Sequence, residues 1–295
     1  MDIESYGQRP TGYRLPEASR IGAVRLQVAD LERSVAFYTR TLGFQAAEQA
    51  GGAVSLSAEG GGPALIHLHE KPGAQPRLPR GRLGLFHFAI LVPDRAALGR
   101  VIPHLVDRRV LNGASDHLVS EALYLQDPDG LGIEIYRDRP RSEWRARGRE
   151  LVMDTLPLDL QDVINAAGGE AWSGMPAGTT IGHIHLHVSQ LTDAEAFFTG
   201  MLGFDKMVWS YPGALFFAAG GYHHHVGTNI WAGPGAAPQG PDEAQLLEWE
   251  LVLPGVDDVE QLAAAVSSDD RAPERDARDL LIGDPSHSRL RIRAE

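Results

Sequence analysis

The sequence predicts an α+β fold made of four βαβββ modules in two tandem pairs, and three observations predict it. Residues 21–44, IGAVRLQVADLERSVAFYTRTLGF, recur as 181–204, IGHIHLHVSQLTDAEAFFTGMLGF, at an offset of 160 with 11 identities in 24 positions. A match of that length means one supersecondary unit built twice. Within these copies, and again over 84–136, short apolar strands alternate with a single helical pattern. The 84–136 stretch has its own later counterpart: LLEWELVLPG (246–255) lies over LFHFAILVPD, and LLIGDPSHSRLRIR (280–293) over LYLQDPDGLGIEIY. The expected layout is an extended arm over 1–17, a two-module domain over 18–140, a joining segment over 141–178 with a short helix, and a second two-module domain over 179–295.

In the first module, 21–28 is a strand and 31–42 a helix, with Asp30 as N-cap and Gly43 as its terminating glycine. Residues 54–58 and 63–70 are strands around the glycine turn at 60–62, and a connector over 75–82 leads to the second module. There the strand over 85–92 sets Leu85, His87, Ala89 and Leu91 on one face and Phe86, Phe88, Ile90 and Val92 on the other. Residues 94–106 have helical spacing, with Asp94 as N-cap and Leu98, Val101, Ile102 and Leu105 as the apolar stripe. A strand is expected near Val110, and strands over 123–125 and 131–136 flank the Asp127-Pro128-Asp129-Gly130 turn. Ile133 and Ile135 must point one way, so Glu134 points the other with Gly132 and Tyr136, toward a cavity or a partner.

The joining segment carries a helical pattern over 158–166. In the third module His183, His185 and His187 alternate and share one face. The triplet His223, His224 and His225 precedes an apolar strand ending near Trp231; its middle member faces away from its neighbours and reads as structural. Phe37, Tyr38, Phe197 and Phe198 read as core, whereas Trp209, Tyr211, Phe216 and Phe217 fit either an aromatic pocket or the core.

Composition removes several function classes. Hydrophobic residues at 43% and charged residues at 22% exclude global disorder. A net charge of -12 opposes nucleic-acid binding, which needs a basic face. With no cysteine, thiolate catalysis, disulfides and sulfur-ligated metal sites are excluded, and His, Asp and Glu remain as ligands. No apolar run reaches the length of a membrane span and the N-terminus lacks a leader pattern, so a cytoplasmic location is expected, with oligomeric state open.

The four modules, the phrase SVAFYTRTLGF, and a first-strand His paired with a last-strand Glu resemble the vicinal oxygen chelate superfamily of glyoxalases, fosfomycin-resistance proteins and type I extradiol dioxygenases. HFAILVPDRAAL, GASDHLVSEALYLQDPDGLGIEIYRDRP and GGYHHHVGTNIW are similar to its catechol 2,3-dioxygenase-like subfamily. The resemblance implies Fe(II), with Mn(II), Ni(II) or Zn(II) as other metals, held by two His and one carboxylate so that positions stay open for a bidentate catecholate and O₂. His87 and Glu134 match two ligand positions. The third falls at Ala23 in the first module, which cannot bind metal, and at His183 in the third; either His183 completes the set or His67, in the Glu134-like place of the first module, does so. Tyr124 matches a family tyrosine that hydrogen-bonds substrate. His225, His223 and His117 are the acid/base candidates, and His185, His223, Asn229 and Tyr136 the substrate contacts. In the fourth module Glu248, Leu281 and Arg291 stand where His87, Tyr124 and Glu134 stand in the second, so no matching site is expected there.

Three functional classes follow. One is a metal-dependent extradiol dioxygenase cleaving a catechol- or hydroquinone-like ring with O₂. Another is a glyoxalase-like isomerase, lyase or thiol transferase using another divalent metal. The third is a metal-free protein that sequesters an aromatic compound or antibiotic. Fold alone does not choose among them.

Overall fold

The computed structural model describes residues 6–47, 51–266 and 273–295; the first five residues of the expected arm lie outside the described residues. Four βαβββ modules follow one another, as the repeats predict. The first is β1 (Arg20–Val28), α1 (Leu31–Arg40), β2 (Gln45–Ala46), β3 (Ala53–Ser57) and β4 (Ile66–Glu70). The second is β5 (Gly84–Leu91), α2 (Arg95–Asp107), β6 (Gly113–Asp116), β7 (Ser120–Gln126) and β8 (Gly132–Asp138). The joining segment forms β9 (Ala146–Arg147), β10 (Glu150–Leu151), β11 (Leu156–Pro157) and α3 (Leu160–Asn165). The third module is β12 (Thr180–His187), α4 (Leu191–Glu195) running into a π-helical turn (Ala196–Met201), β13 (Asp205–Val208), β14 (Ala214–Ala218) and β15 (Val226–Asn229). The fourth is β16 (Gln245–Leu253), α5 (Val256–Val266), β17 (Glu274–Asp276), β18 (Asp279–Gly283) and β19 (Arg289–Ala294).

Local chemistry sets the helix ends as the sequence suggests. The Asp30 carboxylate accepts from Arg33 N at 2.9 Å and Asp94 from Ala97 N at 2.7 Å, each satisfying a first-turn N–H. Gly43 takes φ 76, the left-handed conformation that closes α1. The strand expected near Val110 begins at Gly113. Arg109 takes φ 57 and Val110 N bonds back to Leu105 O, so those residues finish the helix first.

The modules pair in space differently from their order in the chain. One sheet runs β11-β6-β7-β8-β5-β12-β15-β14-β13 and joins the second and third modules; the other runs β17-β18-β19-β16-β1-β4-β3-β2 and joins the fourth and first. The stretches 18–140 and 179–295 divide the sequence, therefore, while each sheet takes strands from both. The first strands of paired modules meet antiparallel at the seams, β5 with β12 and β1 with β16, so four strand edges that would otherwise be open are used up. The apolar faces bury Tyr38, Phe88, Phe197, Phe198 and Trp249 in a shared core, as four of these residues' helical spacing or strand position suggests.

The joining segment is built into this fold. Its β11 extends the nine-stranded sheet beside β6. Helix α3 crosses α2 at Gly99, where a Cβ would lie 2.3 Å from Val163 O. The described part of the arm runs along β13, with Gln8 bridged to Lys206 and Arg14 paired to Asp205 at 2.7 Å.

Candidate functional site

At the seam of the nine-stranded sheet, β8, β5 and β12 lie side by side. Ala89 on β5 is level with Glu134 on β8 and with His183 on β12, while His87 is level with His185. Facing residues of adjacent strands project from the same side of a sheet, so His87, Glu134, His183 and His185 share one face. The small side chain of Ala89 keeps the space between Glu134 and His183 open. Gly132 does the same for the backbone: a Cβ there would lie 2.0 Å from Phe86 O, so only glycine lets β8 close up beside His87.

His87 Nε2 lies 2.9 Å and His183 Nε2 3.2 Å from Glu134 Oε2, and all three residues are buried. One ligand atom from each falls within 4.8 Å of the others. The His87 contact lacks hydrogen-bond geometry, which leaves that buried nitrogen without a hydrogen-bond partner. Converging donors of this kind, two imidazoles and a carboxylate with an orphaned nitrogen aimed among them, fit a divalent cation. Burial pushes His183 down to about 4. Burial alone would raise Glu134, but His183 and His87 beside it hold its carboxyl well below the usual range. Ligation of a cation calls for unprotonated imidazole nitrogens and an ionised carboxylate, which this donor set can supply.

A cavity of about 240 Å³ opens onto this group. His87, Glu134, Tyr124, His117, His185 and His224 supply its polar lining, and Phe86, Phe216, Met153, Tyr211 and Trp231 its apolar walls. The His117 ring is tied at both ends, Nδ1 to Asp154 O at 2.7 Å and Nε2 to the Tyr124 hydroxyl at 2.5 Å. A carbonyl only accepts, so a neutral His117 carries its proton on Nδ1 and takes the Tyr124 O–H on Nε2. Burial pushes the Tyr124 phenol well above its ordinary value, which keeps that proton in place.

The histidine triplet is turned the other way from the sequence reading. His224 lines the cavity, with its ring centroid 4.1 Å from that of His183. His223 and His225, expected as acid/base or substrate contacts, are not among the lining residues. His223 Nε2 bonds Asp138 Oδ1 at 2.8 Å and its Nδ1 meets His224 Nδ1 at 2.7 Å, while His225 Nδ1 accepts from Ala219 N at 3.2 Å. Alternation separates the middle residue from its neighbours but does not say which side is the cavity. The partners of the third module's sheet decide that.

Two further expected contacts also sit outside the cavity lining. Asn229 is buried, and its Oδ1 meets His187 Nδ1 at 2.6 Å and accepts from Trp231 N at 3.0 Å, so it holds the turn that carries Trp231. The Tyr136 hydroxyl bonds that of Tyr222 at 2.7 Å and packs under Gly182, where a Cβ would lie 1.9 Å away. His185 does line the cavity, and its buried Nε2 has no hydrogen-bond partner. Sequence reasoning missed His224, and it missed Met153 and Thr155 because the joining segment carries no pattern that announces a cavity wall.

The other sheet shows what the same positions become without such a group. Glu248 and Arg291, in the places of His87 and Glu134, pair at 2.8 Å, and Arg25 joins Glu248 at 3.0 Å. Glu250 takes Arg293 at 2.9 Å and Ala23 N at 3.2 Å. His67 belongs to this sheet and bonds Ser55 Oγ through Nδ1 at 2.8 Å, so the residue that joins His87 and Glu134 is His183 and not His67.

The Glyoxalase/Bleomycin resistance protein/Dioxygenase superfamily profile matches residues 20–135. Over 272 residues the chain is 44% identical to the Catechol-2,3-dioxygenase of Bacillus subtilis (strain 168), a match that covers 91% of this chain and 95% of that protein. Among solved structures, a proposed dioxygenase from Bacillus subtilis subsp. subtilis str. 168 superposes with a TM-score of 0.64 at 14% identity, covering 96% of this chain and 86% of its own. Glyoxalase I from Zea mays does so with a TM-score of 0.53 at 14% identity, over 93% and 92% of the two chains. At those identities the two structures speak to the fold alone.

Proposed function

The chain belongs to the Glyoxalase/Bleomycin resistance protein/Dioxygenase superfamily, and from that premise we propose that it is a metal-dependent extradiol dioxygenase that cleaves a catechol- or hydroquinone-like ring with O₂. The observation that carries the reading is the buried His87, Glu134 and His183 group at an aromatic-walled cavity. In this reading those three residues hold the metal, Fe(II) is the resident ion, and the protein is a cytoplasmic enzyme of aromatic-compound breakdown. A metal held by His87, Glu134 and His183 would supply a Lewis acid and a path for electrons between substrate and O₂.

The chain's own residues position the ring and handle protons. Phe86, Phe216 and Trp231 offer apolar faces to an aromatic ring, and the walls limit water around it. Tyr124, whose proton is committed to His117, presents its phenolic oxygen beside the Glu134 position as an acceptor that can orient a substrate hydroxyl. His224 is the base. The Asp138 carboxylate can only accept, so a neutral His223 carries its proton on Nε2 and receives one from His224 Nδ1. His224 Nε2 is then left unprotonated and able to take the proton of a substrate hydroxyl.

The test is anaerobic purification and Fe(II) loading of wild type beside His87→Ala, Glu134→Ala, His183→Ala and His67→Ala, followed by catechol and air. Wild type and the His67 variant should retain metal, consume O₂ and form a ring-opened chromophore, and the other three should lose all three properties. A metal-loaded wild type that consumes no O₂ with any catechol points to the isomerase, lyase or thiol-transferase class, and one that cannot be loaded points to a binding protein.

A further inference from the structure

Resting on the ring-cleaving reading, we infer that the site selects catechols whose ring substituents are uncharged and apolar, and that Met153, Tyr211 and Trp231 at the outer wall make the selection. Among the described residues, no Lys or Arg lines the cavity, and Glu134 is the only Asp or Glu that does. A divalent metal, ionised Glu134 and a catecholate monoanion sum to zero charge, so a carboxylate on the ring would add one uncompensated negative charge in a mostly apolar cavity. Such a charge costs several kcal/mol unless a cation or several hydrogen bonds meet it.

The cations nearby lie outside the lining, and most are paired. Arg95 and Arg137 are paired to Glu121, and Arg139 is paired to Asp116 and Glu121. Arg77 is buried with its Nε and Nη2 unpartnered, and it acts on His187, but it is not a lining residue. At the outer wall, Trp231 Nε1 donates to Pro212 O at 3.0 Å, and the Thr155 hydroxyl bonds that of Tyr211 at 2.7 Å. The His117 nitrogens are both taken. Ser115 leaves one neutral hydroxyl, which solvates a carboxylate weakly. Apart from the unpartnered Nε2 of the His185 imidazole, what remains facing a substituent is thioether and aromatic surface. Met153 comes from the joining segment and Tyr211 and Trp231 from the third module, so the Thr155 to Tyr211 bond ties together the two parts of the wall.

The experiment compares 4-methylcatechol with 3,4-dihydroxybenzoate, both by anaerobic binding titration of the Fe(II)-loaded protein and by O₂ uptake. The methyl compound should bind at least ~100-fold more tightly, a difference of about 2.7 kcal/mol. Met153→Arg, which places a cation at the wall, should shrink that ratio at least tenfold, and Thr155→Lys at the exposed rim provides the same test should the first variant fold poorly. Equal affinities for the two compounds in wild type, or a ratio unmoved in a folded variant of either kind, would overturn the inference. Failure of the ring-cleaving reading looks different, since neither compound would then drive O₂ uptake whatever the binding ratio.

Discussion

Asp127 opens the DPDG turn that sets β7 against β8, and with them Tyr124 against Glu134. Its Oδ1 accepts from Asp129 N and Leu131 N, each at 2.9 Å, and its Oδ2 faces the Tyr38 hydroxyl at 3.2 Å. Burial, with Asp129 close by, pushes this carboxyl from 3.8 up to about 7. A folded value above the unfolded one means a stability contribution that is complete below pH 3.8 and lost as pH rises through about 7. At 1.36 kcal/mol per unit, the contribution lost by pH 8 is up to about 4 kcal/mol. Asp127→Asn keeps the accepting oxygen for both backbone N–H groups and never ionises. Urea unfolding at pH 8 should therefore find the variant more stable by about 1 to 4 kcal/mol, equivalent to as much as ~1 M in midpoint, with the gain gone near pH 4. Metal content should not change. A variant less stable than wild type at pH 8 would refute the reasoning, because it would mean that the ionised carboxylate is favourably held.

The remaining predictions concern the site. Asp138→Ala removes the acceptor that orients His223 and through it His224; kcat should fall by about 10²-fold in O₂ uptake while metal content, measured by atomic absorption, stays at the wild-type level. Gly132→Ala drives a methyl toward Phe86 O and should cost about 3 kcal/mol in chemical unfolding, with loss of metal as His87 is displaced. Chelation of a metal present at about 100 times its Kd should remove about 2.7 kcal/mol, which for a chain of 295 residues is a fall of about 4 °C in Tm. His183→Ala should show no such shift.

Much of this was legible in the chain itself. The 160-residue offset identified the repeated module, and Asp30, Gly43 and Asp94 marked helix ends that the structure reproduces. The alternation around Glu134 placed its carboxylate opposite Ile133 and Ile135, where it was expected. Signals of this kind are local: a cap, a turn or a period of two depends on a few neighbouring residues. The His224 error shows where local signals stop. Period two separated it from His223 and His225, but which of the two sides is the cavity depends on strands far away in the sequence.

By itself, then, the sequence determined the modules and the residue types able to bind metal, because backbone geometry ties these to short-range spacing. At the start of β5 it misled, since Phe86, expected opposite His87, lines the cavity with it while Leu85 joins Phe88 in the core. Only the tertiary structure decided that the second module joins the third, that His183 and not His67 stands beside His87 and Glu134, and that Met153 from the joining segment walls the cavity. Those facts depend on which strand edges meet, and edge pairing is settled by the burial of whole sheet faces rather than by any stretch of residues read alone.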